Sequence, residues 1–263
     1  MIVSTVTDSD SRFWSGVATA SGGATFRNHK SNACGELNSP AMHALSTKIP
    51  IVMARAADPL IGGLVPSLAR PGGNITGFST QAAEITSKLV AILHELVPNF
   101  RRVAMVASRP TWPLFSAAQD NAARALGIQS IYIDLPIPAA ISTALTEATS
   151  RNVSGVIMRG TPFFSAAHRT MIVEAAASHR MPAMYESRDY VEAGGLAAYA
   201  TDGVELYRQV AAYVARILNG ERAGDLPIQQ PTKFELVINL RTAKALGLTV
   251  PSRLLFTADE VIE

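Results

Sequence analysis

Residues 49–80 read IPIVMARAADPLIGGLVPSLARPGGNITGFST. Ile49 to Ala54 is an apolar run that ends in a polar loop holding Asp58 and Pro59. Ile61 to Ala69 reads as a short apolar helix, and Pro71-Gly72-Gly73 as a turn. Asn74 to Phe78 reads as a second short strand, ending in Ser79 and Thr80. The order is strand, loop, helix, turn, strand. In open α/β sheets, ligands sit outside the carboxyl ends of strands. The stretch therefore offers two ligand-facing loops.

Downstream the same alternation continues. Glu84 to Leu96 carries Ile85, Leu89, Ile92, Leu93 and Leu96 at helical spacing, and Pro98 stops it. Strands are expected at Arg102 to Ala107, Gln129 to Asp134, Val153 to Met158 and Pro182 to Glu186. Helices are expected between them at Leu114 to Leu126, Ala139 to Thr149 and Ala166 to His179. Leu196 to Ala200 is a further strand, Glu205 to Asn219 an amphipathic helix, and Leu226 to Pro231 an extended linker. Phe234 to Leu240 is a strand, and Arg241 to Leu246 a short helix. Strands alternating with helices predict an α/β fold of doubly wound parallel sheets. Two groups of strands emerge, hence two lobes: residues 40–84 with 196–263, and residues 85–195 inserted between them. Upstream, Met1 to Ser39 is rich in Ser, Thr, Gly and Asn and shows no sustained period. Only Met1 to Val6 reads as a strand there, and poor order is expected.

Composition narrows the function. Apolar residues make up 48% and charged residues 17%, which supplies a core and argues against disorder. The net charge of +2 is not clustered, so nucleic acid is not an expected partner. No apolar stretch reaches the length of a membrane-spanning helix. The single cysteine, Cys34, excludes an intramolecular disulfide and a multi-cysteine zinc site. The five histidines share no ligand spacing. Gly72 to Gly77 has the outer spacing of a phosphate loop, but Phe78 stands where the lysine belongs, so a tight turn is expected. Gly77-Phe78-Ser79 opens like a nucleophile elbow, but Gln81 replaces the closing glycine. No catalytic residue, metal or cofactor is expected.

Several stretches resemble the substrate-binding proteins of one family of bacterial ABC transporters: residues 49–79, PAMYESRDYVEAGGLAAYATD (182–202), QPTKFELVINLRTAKALGLTVP (230–251) and the closing ADEVIE. The resemblance runs from about Pro40 to Glu263. It implies the type I periplasmic-binding-protein fold, with two doubly wound lobes, three interlobe crossings and ligand in the cleft. It implies a solute receptor, periplasmic or at the cell surface, that hands a small molecule to an ABC permease. Some relatives are linked to aromatic amino acids, so an amino-acid-like ligand is expected. It also implies a signal sequence and roughly two βα units ahead of Ile49. Met1 to Ser39 reads as neither, so the first lobe is expected to lack strands. Two other classes stay open: an effector-sensing domain of a regulator, which needs an N-terminal helix-turn-helix, and a doubly wound α/β enzyme, which needs a cofactor fingerprint or an acid–base set.

Candidate ligand-binding residues follow from position just past strand ends. Asp58 is placed to pair a ligand ammonium, the rival reading being an Asp-Pro turn or cap. Ser79 and Thr80 offer hydroxyls and amides to a carboxylate, or cap the next helix. Ser108 and Arg109 follow the strand Arg102 to Ala107; Arg109 suits a bidentate carboxylate clamp and Trp112 a stacking surface, against a solvated rim. Gly160 and Thr161 allow close backbone approach. Tyr185 and Glu186 end their strand; the rival for Tyr185 is a core tyrosine with its hydroxyl at the surface. Tyr199 and Asp202 end the strand Leu196 to Ala200, and Asp202 is alternatively a helix cap.

Overall fold

The computed structural model describes residues 2–4, 14–19, 23–28, 50–159 and 168–263. The chain divides into two compact units, 1–82 with 202–232 and 83–201 with 233–263. It therefore passes from one unit to the other at 82/83, 201/202 and 232/233.

Unit 1 holds a five-stranded sheet in the order β3-β2-β1-β4-β5. The strands are β1 (Ile2–Ser4), β2 (Trp14–Thr19), β3 (Gly23–Asn28), β4 (Ile51–Ala56) and β5 (Ile75–Ser79). β4 runs parallel to both β1 and β5. Its residues alternate between two faces. Ile51 and Met53 pack with Leu64, Val65, Ile75 and Ile228 on one side. Val52 and Ala54 pack on the other with Phe78 and with Leu206, Val210 and Tyr213 of the helix Gly203–Leu218. A parallel strand covered on both faces needs apolar residues at successive positions, which is what the run from Ile51 to Ala54 supplies. Two expectations fail here. β2 and β3, where no strand was expected, pair antiparallel with each other, and β2 pairs antiparallel with β1. Ile61 to Ala69, expected as a helix, is a series of turns. Gly63 at φ 65° and Pro66 interrupt what the apolar spacing suggested.

Two glycines hold unit 1 together by absence of a side chain. Gly77 faces Met53 across the β4–β5 pair, and a Cβ there would lie 2.1 Å from the Met53 carbonyl oxygen. Gly224 would meet the backbone of Gly72 at 2.6 Å. The phosphate-loop spacing of Gly72 to Gly77 is thus a turn followed by a close strand contact. The linker 226–231 lies alongside β5: Gln229 N donates to Gly77 O at 2.9 Å, Ser79 N donates to Gln229 O at 2.9 Å, and Thr76 Oγ1 donates to Leu226 O at 2.7 Å.

Unit 2 is built on a seven-stranded sheet ordered β12-β11-β10-β9-β8-β6-β7. Its strands are β6 (Arg102–Ala107), β7 (Gln129–Asp134), β8 (Gly155–Met158), β9 (Ala183–Tyr185), β10 (Ala197–Thr201), β11 (Phe234–Asn239) and β12 (Glu260–Ile262). The five strands β7, β6, β8, β9 and β10 are mutually parallel, and β11 is antiparallel to β10. The helices are α1 (Ala82–Leu96), α2 (Ser116–Ala125), α3 (Ile141–Ser150), α4 (Arg169–Ser178), α5 (Arg188–Glu192), α7 (Leu240–Ala245) and α8 (Ser252–Thr257), with α6 (Gly203–Leu218) belonging to unit 1. Two apolar layers form. Val103, Ile157, Met184, Ala197 and Leu236 pack with α1, α2, α7 and α8. Ala104, Val106, Val156, Met158, Ala183 and Val237 pack with α3, α4 and α5.

The boundary between units differs from the sequence reading. Residues 196–201 and 233–263, expected in the first lobe, belong to the second sheet as β10, β11 and β12. The pairing of Thr201 with Phe234 joins strands that lie on either side of the excursion 202–232, and local periodicity carries no information about it. Among the described residues no helix is long and apolar enough to cross a membrane.

Candidate ligand-binding site

The parallel strands of unit 2 run β7-β6-β8-β9-β10, so the first strand of the block has its successors on both sides. The chain steps outward from β6 to β7, then returns across β6 to β8. A doubly wound sheet opens a crevice at such a reversal, outside the carboxyl ends of the flanking strands. Here those ends are Ser108 after β6 and Arg159 after β8.

Ser108 is 9% exposed and starts a 3₁₀ turn, Arg109–Leu114, but its side chain makes no capping bond. Its carbonyl instead accepts from the amide and the hydroxyl of Thr111, at 2.9 and 2.8 Å. Arg109 donates its amide to Asp134 Oδ1 at 2.8 Å, and its guanidinium lies 3.6 Å from the same carboxylate with the side chain 71% exposed. The Arg109 guanidinium also stands 5.3 Å from the centre of the Trp112 ring. Trp112 is committed locally: its indole donates to Ala107 O at 3.1 Å and its ring packs against Tyr132 at 5.5 Å. Tyr132 in turn donates to the Asp120 carboxylate, and burial together with that bond pushes its pKa up to about 12.

Arg159 was not singled out by sequence, yet it is the most unusual side chain at this edge. It is only 2% exposed. Its amide donates to Val106 O at 3.1 Å, which fixes the backbone against β6. Its Nη1 lies 3.0 Å from Glu186 Oε2, and its guanidinium lies 4.3 Å over the Phe115 ring. A buried guanidinium is costly unless it is paired, and stacking on an aromatic face adds to its stabilisation. Glu186 follows β9, the neighbour of β8, and its side chain stays 27% exposed. The structure thus joins one predicted residue, Glu186, to two that sequence reading missed, Arg159 and Phe115. The available signal was a lone arginine closing the apolar run Val156 to Met158.

The other candidates fall elsewhere. Asp58 Oδ1 accepts from the amides of Leu60 and Ile61, both at 2.9 Å, so its carboxylate is the acceptor of a turn. Ser79 is buried in β5, and the Thr80 amide donates to Ala56 O at 2.8 Å, so these two stand beside Asp58 at the edge of unit 1. Asp202 Oδ1 accepts from Glu205 N at 3.1 Å and caps α6. Tyr199 lies within β10, not at its end, and stacks on Phe234 at 5.6 Å. Tyr185 is a core residue stacked on Tyr190 at 4.9 Å, and its hydroxyl is buried, not at the surface. That hydroxyl has no hydrogen-bond partner among the described residues, and burial raises its pKa well above the usual tyrosine range. Gly160 and Thr161 lie outside the described residues. Among the described residues no group of three or more His, Cys, Asp or Glu is placed to hold a metal ion.

Comparison with known proteins adds an independent line. A tyrosine-binding protein of Clostridioides difficile is 25% identical over 210 residues, 79% of this chain; the chain spans 60% of the length of that relative. The crystal structure of an ABC domain in complex with L-Trp from Streptococcus pneumoniae matches with a TM-score of 0.74 and 26% identity, covering 84% of this chain and 76% of that one. A conserved domain protein from Vibrio cholerae matches with a TM-score of 0.76 and 26% identity, covering 84% and 74%. These neighbours share the type I periplasmic-binding-protein-like fold. The model of the ABC transporter substrate binding protein family matches residues 32–262, and the chain belongs to that family.

Proposed function

We propose that this chain is a non-catalytic solute receptor of an ABC importer and that its ligand is an aromatic amino acid. The observation that carries the reading is the ion pair of Arg159 and Glu186 at the sheet reversal of unit 2, 3.0 Å apart and flanked by the Phe115 ring. A few fixed charges among aromatic surfaces suit a small zwitterion with a flat side chain. The ligands named for two relatives, tyrosine and L-Trp, have that chemistry. Ser108 and Arg109, on the loop past β6 of unit 2, are the further contacts proposed. The receptor works outside the cytoplasm and passes its cargo to a membrane permease, without turnover.

Thermal denaturation of the purified chain with and without L-tyrosine or L-tryptophan tests this. A ligand at a hundred times its Kd adds about 2.7 kcal/mol to stability, a shift of several degrees in Tm. Isothermal titration should then give a saturable isotherm, with the ligand recovered unchanged. No stabilisation by either amino acid, or conversion of the ligand by the isolated chain, would sink the reading.

A further inference from the structure

We infer that Glu186 is the acceptor for the ligand's ammonium group and that Arg159 is the residue that positions it. This rests on the reading that the ligand is an amino acid, and it specifies which part of that ligand unit 2 recognises.

The argument starts from unequal burial of the two partners. Arg159 is 2% exposed, so its guanidinium is closed to a ligand. Glu186 is 27% exposed and its carboxylate is reachable. The backbone bond to Val106 O and the packing over Phe115 help keep Arg159 in place. It therefore acts as a fixed cationic base beneath a carboxylate that faces outward. An isolated glutamate at a strand end would sample several rotamers. One held through Oε2 by a buried guanidinium keeps one geometry, which lowers the ordering cost on binding. A carboxylate so presented recognises a protonated amine by a charge-assisted hydrogen bond, and it repels a carboxylate. Asp134 at this edge is engaged by the amide and guanidinium of Arg109, and Asp189, three residues past Glu186, is paired with Arg169 at 2.7 Å. Among these described acids, Glu186 is the one whose cation is itself buried beneath it, which leaves its exposed side to a ligand amine.

The test uses three probes with the purified chain: L-tryptophan, tryptamine, which keeps the amine, and indole-3-propionate, which keeps the carboxylate. Titration calorimetry on the wild type, Glu186→Gln, Arg159→Met and Arg159→Lys gives the comparison, with circular dichroism confirming the fold. Glu186→Gln should weaken L-tryptophan and tryptamine by about 30-fold, the loss of a hydrogen bond to a charged group, and leave indole-3-propionate within a few-fold. Arg159→Met should show the same selective loss, and Arg159→Lys should restore part of it. Equal weakening of all three probes would mean that the pair serves the fold alone and would overturn the inference. So would unchanged L-tryptophan binding by Glu186→Gln. If the wild type binds none of the three, the aromatic amino-acid reading fails first and takes this inference with it. Should Arg159→Met not fold, the near-isosteric Glu186→Gln still decides the matter.

Discussion

Asp58 in unit 1 and Glu186 in unit 2 hold the same formal position, an acid just past the end of a parallel strand. Their surroundings make them different objects. The Asp58 carboxylate is used by its own loop, where the amides of Leu60 and Ile61 donate to one oxygen. Glu186 is held by Arg159, a buried side chain from the neighbouring strand's loop. The first is a turn that needs no ligand. The second is a charge arrangement that the local chain does not require. A strand-end position makes a residue eligible for binding, and the origin of its partner decides between the two uses.

Five substitutions, the last read by its pH profile, press on this contrast, beginning with the most damaging. Gly77→Ala should disrupt the β4–β5 pair that supports the Asp58 loop, because the new Cβ would lie 2.1 Å from Met53 O. A loss of about 4 kcal/mol is expected. In hydrogen exchange, amides of 51–56 and 75–79 should exchange faster while those of β6 and β8 stay protected. Uniform acceleration would show that the units do not open separately. Next come the two acids themselves. Glu186→Ala strands a buried guanidinium and should cost about 3 kcal/mol in urea denaturation. Adding Arg159→Met to it should return most of that loss. Asp58→Ala removes a turn acceptor and should cost about 1 kcal/mol. Equal costs for the two acids would erase the distinction drawn here. Asp202→Ala belongs with Asp58, since it removes the cap of α6, and about 1 kcal/mol is expected with L-tryptophan affinity unchanged.

The smallest effect concerns pH. Tyr132 has its pKa pushed up to about 12 by burial and by the bond to Asp120. An unfolded tyrosine titrates near about 10. The folded state therefore favours the neutral phenol. That contribution is complete below the unfolded value and is lost as pH rises from about 10 to about 12. Tyr132→Phe should flatten the decline of stability in that window. An identical alkaline profile for both proteins would assign the decline to other groups, such as Tyr185 and Tyr190, whose pKa values burial also raises.

The legible parts of this chain were those set by neighbours in sequence. The helix spacing of Ile85 to Leu96 and the inward positions Leu206, Val210 and Tyr213 appear as read, and the strand read at Ile49 to Ala54 appears as Ile51–Ala56. The cap at Asp202 and the turn at Asp58 were visible as rival readings, because an Asx side chain reaches only two or three residues along. What stayed hidden needed distant partners. β10 and β11 pair across thirty-odd residues, so their assignment to unit 2 could not come from period. Tyr199 had its strand right and its place in the strand wrong, and the stack on Phe234 is part of that same pairing. Arg159 is met in the fold by Phe115 and Glu186, which come from other strands' loops. Its strand-closing arginine was overlooked beside the more familiar Gly160-Thr161.

The excursion 202–232, framed by Thr201 and its partner Phe234, also has a consequence for how the chain is made. Synthesis runs from the amino terminus, and β10 emerges well before β11. Until residue 239 has left the ribosome, one edge of β10 carries unpaired amides and carbonyls. An open β-edge on a nascent chain is a template for pairing with a neighbour. The seven-stranded sheet is completed by β11 and β12, which follow the excursion in the chain. Truncation ahead of β11 should therefore yield aggregation and not a smaller folded protein, and the hazard ends when residues 233–263 zip onto the waiting edge.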